Sequence, residues 1–482
     1  MRPRPAVYAK RGLKMSNSRL VATRFIGASW WYALGIRFQV SPSRGEVSPS
    51  HMTTTFLLDV CETHLDEAEW FWTRWEHALA APDYDLADTA EVEERLLAHV
   101  DGLSEGGPPV VEALLRPALE SEELARVSAA FLAFLQSHPP AEEVRAWVCD
   151  TVPAQHSAMR RVLEVCDWEG VGTALLPLLE GTDTELQALV LDALVFREEL
   201  PDEVLADFLP HEDPRMRMAA MRGLRTLPRT NARALLSSAL ASVNPVIRDA
   251  AIEWGLAVGS QEAWAVCRQA VKQQGRESLV LWAMGADEED VALLVDLLRI
   301  PERRAGALWA LGFSGRVTAA EACLEWMEDA QVSRLAGEAF SSITGLSMDG
   351  PHALPPEPPL EEPIPLEMEN LDADLTPRPE DDLPRPDAEA VAAWWRGARG
   401  RFVRGTRYWL GQPFQGELLL TALERGPMRR RHVWARELEI RSRRACRVES
   451  RALTRRQRVE LKRAASMGIR LPGASFARLL TG

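Results

Sequence analysis

The sequence predicts an all-α fold: an α-solenoid of stacked helical hairpins, followed by a small C-terminal helical module. Apolar residues recur at three- and four-residue steps along most of the chain, which is the period of an amphipathic helix. A turn-and-helix pattern returns about every 30 residues, and a spacing of that size indicates a repeat array. The 482 residues are too many for one compact core, so an extended array suits the length of the chain.

The N-terminal part of the chain divides into two predicted segments. Residues 1–51 form a basic leader, and we expect translation to begin at Met52, because a patterned helix starts directly after it. Residues 52–120 form an N-terminal helical cap. We expect its first long helix over residues 56–77 and a second helix that closes at Gly102.

Residues 121–350 are predicted to form the repeat array. Two copies of its turn contain Asp213-Pro214 and Asn244-Pro245, where the first residue caps a helix and proline takes the first helical position. When the copies are aligned, one position is Gln187 in an early copy and arginine in the later ones. These repeat arginines are Arg217, Arg248, Arg276, Arg304 and Arg334. Two helices for each repeat of about this length indicate a solenoid.

The charges are distributed unevenly along the chain. Residues 52–350 carry a net charge of −28, whereas residues 391–482 contain 22 basic and 6 acidic residues. Residues 351–390 contain 11 prolines and 12 acidic residues, a composition that favours an extended linker. We therefore expect a Pro-rich acidic linker over 351–390 and a basic helical module over 391–482, which could fold back on the acidic array.

Over residues 121–345 the sequence resembles the HEAT-repeat superfamily, in particular the bacterial type known as phycobilisome-lyase HEAT-like repeats. Three runs are similar to an uncharacterised family of HEAT-repeat proteins in Gram-negative bacteria. They are residues 94–103, residues 339–345, and Trp394-Trp395 together with Arg407-Tyr408. Members of that family are sometimes encoded near type VI secretion genes. The resemblance implies a protein-binding scaffold or adaptor, accessory to a bacterial secretion system, and it supplies no catalytic residues.

Two kinds of residue are candidates for a site. The repeat arginines could bind a ligand along an inner surface, but we assign them a structural role, because an arginine in a repeat commonly pairs with a repeat acid. Trp70 falls partly off the apolar face that Trp72 and Trp75 share at helical spacing. We therefore predict that Trp70 contacts a partner protein, since exposed tryptophan often dominates the energy of an interface.

Several classes of site are not indicated. The nine histidines and six cysteines show no HExxH motif and no metal-ligand spacing, so we predict no metal. The sequence has no GxSxG, no P-loop and no GxGxxG after a strand, so we predict no catalytic residue and no cofactor. Dispersed cysteines indicate a reducing cytoplasm. The apolar stretch at 25–36 is shorter than the roughly 20 residues that span a membrane.

The sequence therefore predicts a non-enzymatic, cytoplasmic scaffold that binds another protein. Two alternatives stay open. One is an enzyme of the bilin-lyase or DNA-glycosylase kind, because both chemistries occur on HEAT-like scaffolds and a fold does not fix a function. The other is a nucleic-acid tether through the basic residues 391–482, although the acidic array and the scattered arginines disfavour it.

Overall fold

The computed structural model describes residues 49–226, 232–273, 275–355 and 378–480. The side chains of residues 49–57, 232 and 276 lie outside this description, as do residues 1–48 of the predicted leader. Helices dominate the described residues and only two short strands accompany them, which confirms the all-α class. The chain divides into two compact units, residues 1–59 and residues 60–482. The second unit includes most of the predicted cap together with the predicted array and module.

The helices follow one another closely. At the N-terminal side they are α1 (Pro49–Ala78), α2 (Leu86–Ser104), α3 (Gly107–Val110) and α4 (Arg116–Ala118), with a π-helical segment at Val111–Leu115. The next helices are α5 (Leu124–Gln136), α6 (Ala141–Asp150), α7 (His156–Val165), α8 (Val171–Leu175), α9 (Thr184–Arg197), α10 (Asp202–Asp207), α11 (Pro214–Gly223), α12 (Ala232–Leu240), α13 (Pro245–Ala257), α14 (Gln261–Lys272), α15 (Arg276–Gly285), α16 (Ala292–Leu297), α17 (Pro301–Ser314), α18 (Val317–Leu324) and α19 (Ser333–Thr344).

The C-terminal elements complete the chain. They are α20 (Ala388–Ala398), β1 (Tyr408–Trp409), β2 (Gln412–Pro413), α21 (Leu418–Arg425), α22 (Met428–Arg441), α23 (Thr454–Ser466) and α24 (Phe476–Leu479). Short 3-10 segments lie at Pro153–Gln155, Leu176–Glu180, Gly350–His352 and Arg399–Arg401.

The odd-numbered helices from α5 to α19, which we call the row helices, pack on one another in sequence order. The helices between them contact the row beside them: α10 packs on α11, α12 and α14 on α13, α16 on α17, and α18 on α17 and α19. Each period of about 30 residues thus contributes a row helix and, in most periods, one further helix.

The predicted caps begin their helices. The Asp213 Oδ1 atom accepts from the backbone N–H of Arg215 at 2.7 Å, and the Asn244 Oδ1 atom accepts from that of Val246 at 3.0 Å. In α11 and α13 proline takes the first helical position, where its missing N–H removes no helix hydrogen bond. The sequence prediction for the start of both helices is confirmed.

Helix α2 differs from its prediction at its end. It continues past Gly102 to Ser104, and the backbone at Gly102 packs against the His64 ring of α1, so closely that an added Cβ would lie 3.0 Å from the ring. Here glycine gives room for a neighbouring side chain, whereas the sequence prediction treated it as a helix stop. The core of α1 is as predicted, with Trp72 and Trp75 buried at 5% and 0% exposure.

The described ends of the predicted linker lie side by side. Ala353 and Pro386 form an isolated antiparallel bridge, the Leu354 N–H donates to the Arg385 carbonyl at 2.8 Å, and the Asp387 N–H donates to the His352 carbonyl at 2.9 Å. Residues 356–377 of that linker lie outside the described residues.

The C-terminal part is not entirely helical as predicted, because β1 and β2 form a small antiparallel hairpin. Leu410 and Gly411 make its turn with φ values of 46° and 77°, a left-handed geometry typical of two-residue hairpin loops. Their backbone N–H groups donate to the carbonyls of Ser342 and Ile343 at 2.8 and 2.9 Å. The hairpin therefore satisfies carbonyl groups at the end of α19 that have no partner within the helix.

Candidate functional site

The repeat arginines do not share one kind of partner. Arg304 forms an ion pair with Asp329 at 3.2 Å, its Nε donates to the Leu298 carbonyl at 2.9 Å, and its guanidinium lies 4.0 Å from the Trp326 ring centroid. Gln187, at the equivalent position of an earlier copy, donates to the carbonyls of Leu179 and Gly181. In these two copies the side chain binds the backbone that leads into its own row helix.

The other repeat arginines differ from Arg304. Arg334 donates to the Leu383 carbonyl of the returning chain. Arg217 and Arg248 form no ion pair with a described residue, and the Nε of each is buried without a hydrogen-bond acceptor among those residues. The side chain of Arg276 lies outside the described residues. Pairing with an acid, which the repeat pattern predicts, therefore occurs at Arg304 and is not general among the described side chains.

Trp70 stands out from the rest of α1, because 54% of its surface is exposed. The guanidinium of Arg74 lies 6.0 Å from the Trp70 ring centroid and 5.8 Å from the Tyr84 ring centroid. The Arg74 Nη2 donates to the Tyr84 hydroxyl at 2.6 Å. We call Trp70, Arg74 and Tyr84 the Trp70 surface. Tryptophan, tyrosine and arginine are the three residue types that most often dominate binding energy at protein interfaces.

Two elements hold the Trp70 surface in place. The Phe71 ring meets Trp70 edge-on, with centroids 4.7 Å apart, and Phe71 is itself buried. The loop that carries Tyr84 is fixed by the start of α22, because the Met428 N–H donates to the Tyr84 carbonyl at 2.8 Å. The surface is therefore built on a packed helix and an anchored loop, which limits the ordering cost of binding.

Acidic side chains continue from Trp70 along the exposed face of α1. Glu62, Asp66 and Glu67 are exposed and lie at helical spacing before Trp70. Asp66 and Glu69 also accept from Arg126 of α5 at 2.8 and 2.9 Å, which ties α1 to the first row helix. A partner that meets this face would encounter an aromatic contact beside negative charge.

Arg74 and Tyr84 were not predicted as site residues. Arg74 lies four residues after Trp70, one helical turn away on the same face, so its position could have been found from the helical period. Tyr84 lies beyond the end of α1, and only the folded loop brings it to Arg74.

The basic C-terminal part packs on helices of the predicted acidic cap and array. Helix α22 lies against α13, α21 and α23 lie against α2, and α24 lies against α14 and α15. Ion pairs cross this contact: Arg436 with Glu253 and Glu277, Arg429 and Arg430 with Glu338, Arg447 with Glu198, Arg451 with Glu76, and Arg399 and Arg404 with Glu321. Many of the arginines that suggested a nucleic-acid groove are thus engaged within the chain.

One of these groups is deeply buried. Glu437 of α22 has no exposed surface and accepts from Arg407 and from Arg441, the latter at 2.7 Å. Burial alone would raise the pKa of Glu437, but the two guanidiniums outweigh it and the pKa lies below its usual value. The side chain is therefore a buried carboxylate held by two cations.

The described residues contain neither a metal site nor a membrane-spanning helix. Residues 49–226, 232–273, 275–355 and 378–480 contain no group of three histidine, cysteine or acidic side chains that could hold a metal ion. No helix in the same part of the chain combines the length and the apolar character needed to cross a bilayer.

Comparisons with known proteins give little beyond this geometry. No family model matches the chain, and no curated protein matches it. Among solved structures, an engineered protein from a structural genomics consortium is similar over 59% of this chain and 87% of its own, with 19% identity and a TM-score of 0.27. A TM-score of that size carries no argument about fold or function.

Proposed function

We propose that the chain is a non-enzymatic scaffold or adaptor that binds another protein, built as an α-solenoid of HEAT-like hairpins. The sequential packing of the row helices supports the solenoid interpretation, because in such arrays each repeat buries its apolar face on its neighbours. The resemblance to the bacterial HEAT-repeat family adds the proposal that the protein works in the cytoplasm, as an accessory of a secretion system.

The single observation that carries the proposal is the half-exposed Trp70 beside Arg74, which also contacts Tyr84. A large aromatic ring left in water on the exposed face of a helix is an unfavourable arrangement that partner binding would relieve. The acidic side chains beside it favour a partner with basic groups around an apolar anchor. Attraction between such opposite charges speeds association, and added salt weakens it.

The test compares three full-length proteins: the wild type, Trp70→Ala and Val459→Ala. Val459 is a matched control, because it is an apolar residue, 65% exposed, on a different helix, α23. Each protein is used to capture partners from host lysate, and the captured protein is then purified and titrated against all three. We expect Trp70→Ala to weaken binding about thirtyfold, the loss that a hot-spot residue of about 2 kcal/mol produces.

Val459→Ala should bind as the wild type does, and raising the salt concentration should weaken wild-type binding. Equal binding by Trp70→Ala and the wild type would exclude the Trp70 surface as the contact. Capture of nucleic acid in place of a protein, lost on nuclease treatment, would favour the tether alternative.

A further inference from the structure

A cavity of about 120 Å³ lies where the C-terminal elements meet the ends of α9 and α11. Four arginine residues line it: Arg225 after α11, Arg444 and Arg447 in the turn after α22, and Arg463 on α23. Three acidic residues, Glu198, Glu439 and Glu460, also line it.

Each carboxylate of the cavity is already paired with an arginine. Arg444 binds Glu439 at 2.8 Å, Arg225 and Arg447 bind Glu198 at 3.1 and 3.4 Å, and Arg456 binds Glu460 at 2.7 Å. Arg463 forms no ion pair with any residue that the structure describes. The cavity therefore has one guanidinium more than its carboxylates balance.

Arg444 provides a second observation. Its side chain is only 6% exposed, and although Nη2 donates to the Arg222 carbonyl at 2.7 Å, its Nε is buried without an acceptor among the described residues. A buried N–H without an acceptor is costly. Arg443 and Arg444 also adopt left-handed backbone with φ values of 53° and 65°, a conformation that costs energy in non-glycine residues. The protein thus maintains a strained turn that places Arg444 in the wall of the cavity.

We propose that this cavity binds a small oxyanion of the size of phosphate. Its volume corresponds to roughly four water molecules, enough for one tetrahedral oxyanion and well below the roughly 300 Å³ where pockets for larger ligands begin. Guanidinium groups bind such anions through paired, charge-assisted hydrogen bonds. The bound anion would join Arg463 and Arg444 to Arg225, and so would connect the C-terminal elements to the row.

Isothermal titration of the full chain with inorganic phosphate, in a buffer free of other oxyanions and at constant ionic strength, tests the proposal. We expect one phosphate per chain, and an increase in thermal stability that grows with phosphate concentration. Arg463→Gln should weaken binding about tenfold, the effect of losing one charge-assisted hydrogen-bond pair.

Arg458→Gln is the matched control, because Arg458 is an exposed arginine of the same helix and does not line the cavity. It should bind phosphate like the wild type, and so should Trp70→Ala, because the Trp70 surface is separate. If Arg463→Gln alters the helical circular dichroism, Arg225→Gln provides the same test from the row side. The absence of saturable one-to-one binding, or equal losses in Arg463→Gln and Arg458→Gln, would overturn the proposal.

Discussion

Arg407, Glu437 and Arg441 form an ionic group in which the carboxylate is fully buried and shared by two guanidiniums. Removing the carboxylate would leave two cations in a place from which water is excluded, and an uncompensated buried charge is strongly destabilising. Glu424 and Arg425 form the contrasting case, a surface pair with most of both side chains exposed.

Glu437→Gln should therefore lower the free energy of unfolding by about 3–5 kcal/mol, measured by chemical denaturation. Glu424→Gln should change it by less than about 1 kcal/mol, because solvent screens an exposed pair. A loss of similar size in both variants would contradict the assignment of Glu437 as the central charge of the buried group.

His432 makes stability depend on pH. The His432 side chain is exposed, but the groups packed around its ring desolvate it in part and, with the positive charge of Arg436, lower its pKa, while Glu277 raises that pKa and Arg430 lowers it. In the unfolded chain the imidazole takes up a proton near pH 6.5. The unfolded state thus binds more protons just below this pH, and folding stability should fall as the pH drops below about 6.5.

His432→Gln should reduce that slope, because glutamine does not titrate. The measurement is the free energy of unfolding of both proteins at several pH values in this window, and the difference between them removes the contribution of His64, whose pKa burial also lowers. Parallel curves for the two proteins would show that His432 is not the responsible group.

For single residues, the sequence predicted those features that depend only on the helical period. Helical spacing separated exposed Trp70 from buried Trp72 and Trp75, and the structure agrees. It could not predict that Arg431 is fully buried. The groups that accept from it, the Leu423 carbonyl and the Gln457 side chain, are brought there because α21 packs on α22 and α23 packs on α21.

At the scale of the elements, α17 and α19 approach each other closely at a glycine. This glycine is Gly312 of α17, where an added Cβ would lie 3.0 Å from the Ala339 backbone of α19 and 2.9 Å from the Arg430 side chain. Gly306 belongs to the same helix, but a Cβ there would meet only Leu279 at an ordinary 3.5 Å. Alanine at Gly306 therefore reports the helix preference of alanine alone, whereas alanine at Gly312 adds the cost of crowding against α19.

Gly306→Ala should stabilise the protein by up to about 1 kcal/mol, the helix preference of alanine over glycine. Gly312→Ala should destabilise it by about 1–3 kcal/mol, because overpacking outweighs that preference. Thermal unfolding of both variants checks the pair. Stabilisation by Gly312→Ala would mean that α17 and α19 can move apart at little cost.

Element starts were more predictable than element ends. The Asp213 and Asn244 caps act through hydrogen bonds two residues away, so a short stretch of sequence contains the whole signal. The hairpin at Leu410-Gly411 has no such signal, because its first turn position is leucine and its N–H groups bind α19, about 70 residues earlier. The hairpin therefore could not be predicted from the residues around it.

For the whole molecule, complementary charge joins the C-terminal elements to the row. Arg436 of α22 lies between Glu253 and Glu277, which belong to α13 and α15. Whether the basic module docks on the acidic array cannot be predicted from the net charges, because they give an attraction but do not fix which residues meet. The register depends on which arginine meets which acid, and that is set by the packing of all the helices together.

Arg436→Glu should lower the free energy of unfolding by about 2 kcal/mol, because it places three like charges together. Arg458→Glu, an exposed change of the same kind, should have little effect. Adding Glu253→Arg to Arg436→Glu should restore part of the loss, and hydrogen exchange of α13 should report the weakening and the recovery. If the reversal restores nothing, the loss does not come from this ion pair.

The bridge between Ala353 and Pro386 has a practical consequence. It holds the chain leaving α19 beside the chain entering α20, so the two helices keep their connection through contacts outside residues 356–377. An insertion within that segment leaves these contacts unchanged. A fluorescent reporter domain placed there should therefore follow the protein in living cells, with both termini left unmodified.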